Sequence, residues 1–418
     1  MLKRLLAIAF IFMCTTGAWM VLGGTIFART YSSDLTLKSR VERIWGTAQA
    51  QRAPSANYKV QLTREEESLV DGKKVIVIKK TTETYSVPLM ASDIAVKLAL
   101  DYRQKGLLWY STYVTDFTAS YRFRLDGREP RTVYVAFPFP AQGANYDDFR
   151  FVLRGGAWAN KPETRNGQML GAVAAVPGQD IVVDVGYRTQ GLDQWRYLFT
   201  GHEGENATNP GVTEVRDFRL VMETDFREID FPDDSIAPSS KERTHGGWRL
   251  TWKYKNLIAG VNIGMLMPQK LQPGPLAGQI SFFAPVSLFF FTVVLLALSL
   301  VRRIELHPMH FFFLSAAFFA FHLLLAYLVD HVSIHTAFVI ASVVSIGLVV
   351  SYLRAVVGPR FAFMPAMSAQ LIFLVLFSYA FLFTGLTGLT VTIGAVLTLF
   401  VLMRMTARID WTIVFAKK

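Results

Sequence analysis

The chain holds one cysteine, Cys14, in 418 residues. A lone thiol excludes an internal disulfide and any cysteine-based metal site. Cys14 lies inside an apolar run, where a thiol is a small inert hydrophobe. Acidic residues are scarce outside the middle of the chain. Residues 1–27 and 280–418 together carry three Asp and Glu against ten Lys and Arg, whereas residues 28–279 carry 29 against 33. Most of the net charge of +11 therefore sits beside apolar runs. No basic run with interleaved aromatics offers nucleic acid a surface. A Gly-rich phosphate loop, a nucleophile elbow, an HExxH zinc motif and an intramembrane aspartyl motif are also missing. The sequence nominates no catalytic residue, no cofactor and no metal site.

Long apolar runs are what the chain has in quantity: 52% of its residues are hydrophobic and 33 are Phe. A bilayer core of about 30 Å needs about 20 apolar helical residues. Six stretches meet that length: 5–27, 280–301, 309–329, 332–353, 361–384 and 386–403. Lys3 and Arg4 precede the first. Arg302 and Arg303 follow the second, Arg354 and Arg360 separate the fourth from the fifth, and Arg404, Arg408, Lys417 and Lys418 follow the sixth. With a cytoplasmic N-terminus, six crossings put all ten cations in the cytoplasm. The two opposite turns, at Asp330–His331 and near Gly385, carry no Lys or Arg. That is the positive-inside pattern of a multi-pass bacterial inner membrane protein with both termini cytoplasmic. The first run is long for a signal-peptide core and lacks a small-x-small cleavage site, so it reads as an uncleaved anchor.

The fold expected is a membrane protein of α+β class. An anchor helix occupies 1–28 and an extracytoplasmic, antiparallel β-rich, sandwich-like domain occupies 29–279. A five-helix transmembrane bundle and a cytoplasmic tail at 405–418 follow. Ser33 to Trp45 reads as a short amphipathic helix along the membrane surface, capped by Ser33 or Asp34, with Leu37, Val41 and Ile44 on one stripe. After it the period becomes two. Tyr121, Phe123 and Leu125 alternate with Arg122, Arg124 and Asp126. Trp195, Tyr197 and Phe199 form a second set, Phe218, Leu220 and Met222 a third, and Trp248, Leu250, Trp252 and Tyr254 a fourth. These are half-buried strands. Asp126-Gly127, Gly155-Gly156 and Gly246-Gly247 mark turns. One sandwich or two are compatible with the spacing, a division falling near 155–178. Pro268 to Gly278 reads as a linker.

Polar residues within the spans are the remaining candidates. His322 lies near the middle of the third span, with Ser315 seven residues before and Asp330 eight after, on roughly one helical face. An ionisable group at that depth faces protein or a water-filled cavity. Two readings follow: a polar stripe for a proton or small polar ligand, or a neutral imidazole bonded to Gln370 of the fifth span or a serine of the fourth. His307-Pro308 reads as a helix start, with Pro in the first turn. His307 and His331 lie roughly 36 Å apart along a helix and share no metal. Ala337, Ala341 and Ser345, spaced by four, let helices approach closely. Gly201 to Asn206, with His202 beside Glu203 and Glu205, reads as a solvated loop.

Several short stretches resemble one family. They are Arg303-Ile304-Glu305-Leu306-His307-Pro308 before the third span, Asp330-His331 after it, Ser351-Tyr352-Leu353 closing the fourth, and Arg408-Ile409-Asp410-Trp411. Near the N-terminus stand Trp45, Gly46 and Gln49 of a Trp-Gly-x-x-Gln element. The chain is similar in these stretches to the CreD family of bacterial inner membrane proteins. Asp330 replaces the family's more usual Glu, and Ala53-Pro54 its Gly-Pro. The resemblance covers 280–418 well, 1–55 moderately and the middle hardly. It implies an envelope-integrity or stress-response role and carries over no catalytic residue. The partners expected are the lipid bilayer and an envelope component or periplasmic protein, with no nucleic acid; nothing in the sequence specifies an oligomeric state. The rival functions are a transporter or channel component using the third-span stripe, and a periplasm-facing enzyme acting on an envelope saccharide or lipid.

Overall fold

The structure is a computed structural model that describes residues 2–70, 73–105, 108–199, 213–302, 304–383, 385 and 387–407. The loop at Gly201 to Asn206, Arg303, Asp410 and Trp411 lie outside the described residues. The chain divides into two units: a helical one, Met1–Leu37 with Gly106–Leu108 and Leu271–Lys418, and a β-rich one, Lys38–Lys105 with Trp109–Lys270.

Among the described residues, six helices are long and apolar enough to cross a membrane. They are α1 (Leu2–Trp45), α2 (Pro273–Val301), α3 (Pro308–Leu328), α4 (Ile334–Val356), α5 (Pro359–Leu382) and α6 (Thr387–Thr406). Two expectations are corrected here. The anchor and the short amphipathic helix are one continuous helix, so there is no helix start for Ser33 or Asp34 to cap. The expected linker at 268–278 is half helical, because α2 starts at Pro273. Proline in a first turn gives up no hydrogen bond, and glycine on a buried helix face admits a close neighbour. A side chain on Gly274 would lie 2.8 Å from Thr30, and one on Gly278 3.3 Å from Ile26.

The contacts of α1 form a stripe. Phe12 meets Phe289 edge-on at 5.9 Å, Gly23 faces Phe282, and Thr30 faces Gly274, so α1 and α2 run antiparallel. Trp19 is fully buried. In α4, Ala337, Ala341 and Ser345 are all fully buried, as close-packed small residues should be. In α5 the backbone opens into π turns at Ala362–Ala366, around Pro365, and at Leu371–Leu376. Proline has no N–H to donate, and a wider turn absorbs the missing bond.

The β-rich unit contains three sheets around one core. The seven-stranded sheet has the order β13 (Ser240–Arg243), β14 (Trp248–Ala259), β12 (Thr213–Thr224), β4 (Leu89–Lys105), β5 (Leu108–Arg124), β10 (Asp180–Leu192) and β7 (Tyr146–Arg154). The five-stranded sheet runs β3 (Lys73–Ser86), β2 (Ser55–Val70), β6 (Arg131–Pro138), β9 (Gln168–Ala175), β8 (Ala157–Arg165). The small sheet is β1 (Gln49–Arg52), β11 (Gln194–Leu198), β15 (Ile263–Leu266). β1 with β11 and β4 with β12 pair in parallel, whereas β5 with β10, β10 with β7, β12 with β14, β2 with β6 and β6 with β9 pair antiparallel. Period-2 alternation places Tyr121, Phe123, Trp195, Tyr197, Phe218, Leu220, Leu250 and Trp252 in the core.

The expected division at 155–178 is not a domain boundary. Residues 157–175 form the β8–β9 hairpin of the five-stranded sheet, while β7 and β10 on either side pair in the seven-stranded sheet. Gly155 and Gly156 carry the chain between sheets at φ 104° and 157°. A side chain on Gly155 would lie 2.1 Å from the Asp180 carbonyl oxygen. Paired glycines that signal a linker in sequence are here a tight crossing inside one core.

Candidate functional site

The polar residues of the third span do not converge on one site. Asp330 forms a two-pronged ion pair with Arg29 of α1, at 3.3 Å through each of two oxygens. Arg29 also donates to the Ala326 carbonyl at 3.4 Å and lies over the Tyr327 ring. Asp330 thus fastens α1, at Arg29, to the end of α3. Gln370 is fully buried and donates from Nε2 to Ser345 Oγ at 2.9 Å. Ser345 in turn donates to the Ala317 carbonyl at 2.7 Å, which links α5, α4 and α3. Ser315 is buried.

His322 makes neither of the bonds proposed for it from sequence. It is fully buried, and neither ring nitrogen has a hydrogen-bond partner among the described residues. Its ring meets Trp19 edge-to-face, with centroids 5.8 Å apart at 85°, and Trp19 also meets Phe319 at 5.2 Å. Ring quadrupoles favour such contacts. His322 therefore packs α1 against α3 as an aromatic, with Gln370 engaged elsewhere.

At the opposite end of α3, His307 Nδ1 accepts from the Met309 backbone N–H at 3.2 Å, and Pro308 takes the first helical position. His310 Nδ1 lies 2.7 Å from the Tyr352 hydroxyl, joining the start of α3 to the end of α4. His331 sits exposed in the turn after α3. Among the described residues, no three His, Cys, Asp or Glu side chains gather as a metal set would.

The Trp-Gly-x-x-Gln element is a latch inside the β-rich unit. The Trp45 ring lies under the Arg103 guanidinium at 4.2 Å. Gly46 ends α1 with φ 96°, and its N–H bonds to the Glu42 carbonyl at 3.0 Å, the usual glycine helix stop. Buried Gln49 donates to the Gln190 carbonyl at 2.8 Å and accepts from Thr115 at 3.0 Å. Gln51 accepts from Tyr187 at 2.7 Å, and burial pushes the Tyr187 phenol well above its ordinary value.

Sequence reasoning missed the residue around which this corner is organised, Asp193 in the β10–β11 turn. Its carboxylate holds Lys38 of α1 at 2.7 Å, and its carbonyl accepts from the Met267 backbone at 2.8 Å. Ser111 donates to the Pro268 carbonyl at 2.6 Å, and Lys270 stands over Trp109 at 4.0 Å and Tyr102 at 4.5 Å. The last turns of α1 and the segment leading to α2 are therefore bound by the same edge of the β-rich unit. The positive φ of Asp193, 64°, is the only local signal, and a sequence does not display it.

Residues 283–412 match the family described as Inner membrane protein CreD. Over this stretch the helical end of the chain is similar to CreD inner membrane proteins. The match starts inside α2 and runs past α6, so it spans a little under a third of the chain. Within the matched stretch fall His307, Pro308, Asp330 and His331, together with Asp410 and Trp411. Trp45, Gly46 and Gln49 lie outside it. No curated protein matches the chain. A Legionella pneumophila subsp. pneumophila str. Philadelphia 1 structure described as a "putative nutrient binding protein" shares 10% identity. The likeness covers 60% of this chain and 79% of that one at a TM-score of 0.31, a score at which it carries no argument about function.

Proposed function

We propose that this CreD-like chain is a non-enzymatic envelope-integrity or stress-response protein of the inner membrane. In this reading both termini are cytoplasmic, the β-rich unit is periplasmic, and that unit binds envelope components or a partner protein. The cation distribution supports the orientation. The observation that carries the role is the Asp193 corner, where one turn of the β-rich unit holds both Lys38 and Met267. A domain that grips both of its chain connections is suited to anchoring or relaying. The transporter reading draws less support, because Asp330 is engaged with Arg29 and Gln370 with Ser345. The enzyme reading draws less support, because the two carboxylates of the main groove, Asp93 and Asp184, are engaged with Arg219 and Arg154.

The test is survival of a deletion strain under detergent and osmotic downshift. The full chain is expected to restore survival, and Asp193→Ala at equal abundance to restore less. A deletion strain as resistant as its parent contradicts the proposal.

A further inference from the structure

We propose that the outer face of the seven-stranded sheet is a binding site for an oxyanion, a carboxylate or phosphate borne on a small hydroxylated ligand, and that Arg150 is its principal reader. This deepens the proposed function and rests on it for the idea that the β-rich unit meets envelope components; the chemistry is argued from the groove alone.

The groove encloses about 520 Å3 and crosses five strands. Its floor is made of small side chains: Ala95 on β4, Thr118 and Ser120 on β5, and Gly186 on β10. Its walls are arginines, Arg219 on β12 to one side and Arg150 and Arg154 on β7 to the other. Small residues between long cationic ones leave a trough on a face where side chains usually fill the space. The volume falls in the range of small-molecule sites, roughly 300–1,000 Å3.

Two of the three arginines are committed. Arg219 bonds Asp93 at 2.9 Å, and Arg154 bonds Asp184, which also accepts from Ser120 at 2.8 Å. Arg150 has no carboxylate partner among the described residues. Its guanidinium lies across Gly186, where a methyl group would come 3.4 Å from Nη2 and 3.6 Å from Nε. β7 bulges beside it: the register shifts between Gly186 and Arg188, and Asp148 adopts φ 52°. Bulges re-aim side chains and are enriched next to binding sites. A second cleft of about 380 Å3 continues past Arg150, so the guanidinium stands between two open spaces.

Exposed ion pairs on a sheet are ordinary and contribute little. An unpaired guanidinium over a glycine floor is different, because its planar fork of N–H donors matches carboxylate and phosphate oxygens. Thr118, Ser120, Asp93 and Asp184 supply donors and acceptors for hydroxyl groups. No aromatic ring lines the main groove, which disfavours a neutral sugar held by stacking.

The experiment is calorimetric titration of the full chain in mild detergent with inorganic phosphate in one arm and glucuronate in the other. Saturable binding of at least one probe is expected, with the stronger arm naming the source of the oxyanion. Arg150→Gln should weaken it about tenfold or more, the loss of one charge-assisted bond. Gly186→Ala, which the backbone tolerates, should weaken it by filling the floor. Arg249→Gln, on β14 and paired with Glu223 of β12 outside the groove, should leave it unchanged. Unchanged melting temperatures show that the variants fold. The proposal is overturned if neither probe saturates by about 10 mM, a threshold of roughly 3 kcal/mol of binding, or if Arg150→Gln binds as tightly as the parent. If the parent protein binds neither probe yet restores survival of the deletion strain, this inference alone falls; if it binds a probe while the deletion strain is as resistant as its parent, the functional reading alone falls.

Discussion

A methyl group on Gly46 would sit 2.3 Å from the Gln190 carbonyl oxygen, in a backbone conformation that L-residues avoid. Gly46→Ala must therefore displace β10 or unwind the end of α1. Three residues on, Gln49→Leu takes the acceptor from the buried Thr115 hydroxyl and the side-chain donor from the Gln190 carbonyl, which costs about 1–3 kcal/mol. Both variants should lower the melting temperature of the purified protein, Gly46→Ala the more; equal stability would remove the latch. Arg29 and Asp330 make a different case, because their side chains are 40% and 20% exposed. Screening reduces such a pair to about 1 kcal/mol at most. Asp330→Asn should destabilise slightly, and the swap Arg29→Asp with Asp330→Arg should recover part of the loss. A swap no better than the sum of its single variants contradicts the pairing. His322→Phe replaces an imidazole with two unpartnered nitrogens by a ring of similar shape. Stability should be unchanged or raised; a drop of many degrees would mean the nitrogens are bonded.

At the scale of elements, what the sequence displayed depended on whether the cause was local. The alternation over Phe218–Met222 and Trp248–Tyr254 was legible because each strand has one buried face. The start of α3 was legible because His307 caps and Pro308 opens within two residues. Gly274 and Gly278 were not, since the same glycines serve a flexible linker and a helix packed against Thr30 and Ile26. Asp330 and Gln49 were flagged, but their partners are 301 and about 140 residues away in sequence. The strands also carry a pH signature. Burial raises the phenols of Tyr113, Tyr121, Tyr187 and Tyr197 above their ordinary value of about 10. The folded state therefore keeps protons that the unfolded chain releases, so this stability is intact below about pH 10 and falls as pH rises beyond it. Tyrosinate absorbance of the intact protein should rise together with loss of β circular dichroism, and phenols titrating freely near pH 10 in folded protein would contradict their burial.

For the whole molecule, the account depends on six apolar helices crossing a bilayer with their cations on one side and the β-rich unit on the other. The single cysteine makes this testable at chosen points. In a Cys14→Ala background, Lys253→Cys places a thiol on exposed β14, and Arg354→Cys places one at the exposed end of α4. A membrane-impermeant maleimide applied to intact spheroplasts should label the Lys253→Cys protein at once and the Arg354→Cys protein only after lysis. The opposite pattern, with position 253 protected until lysis, would contradict the arrangement and the envelope role built on it.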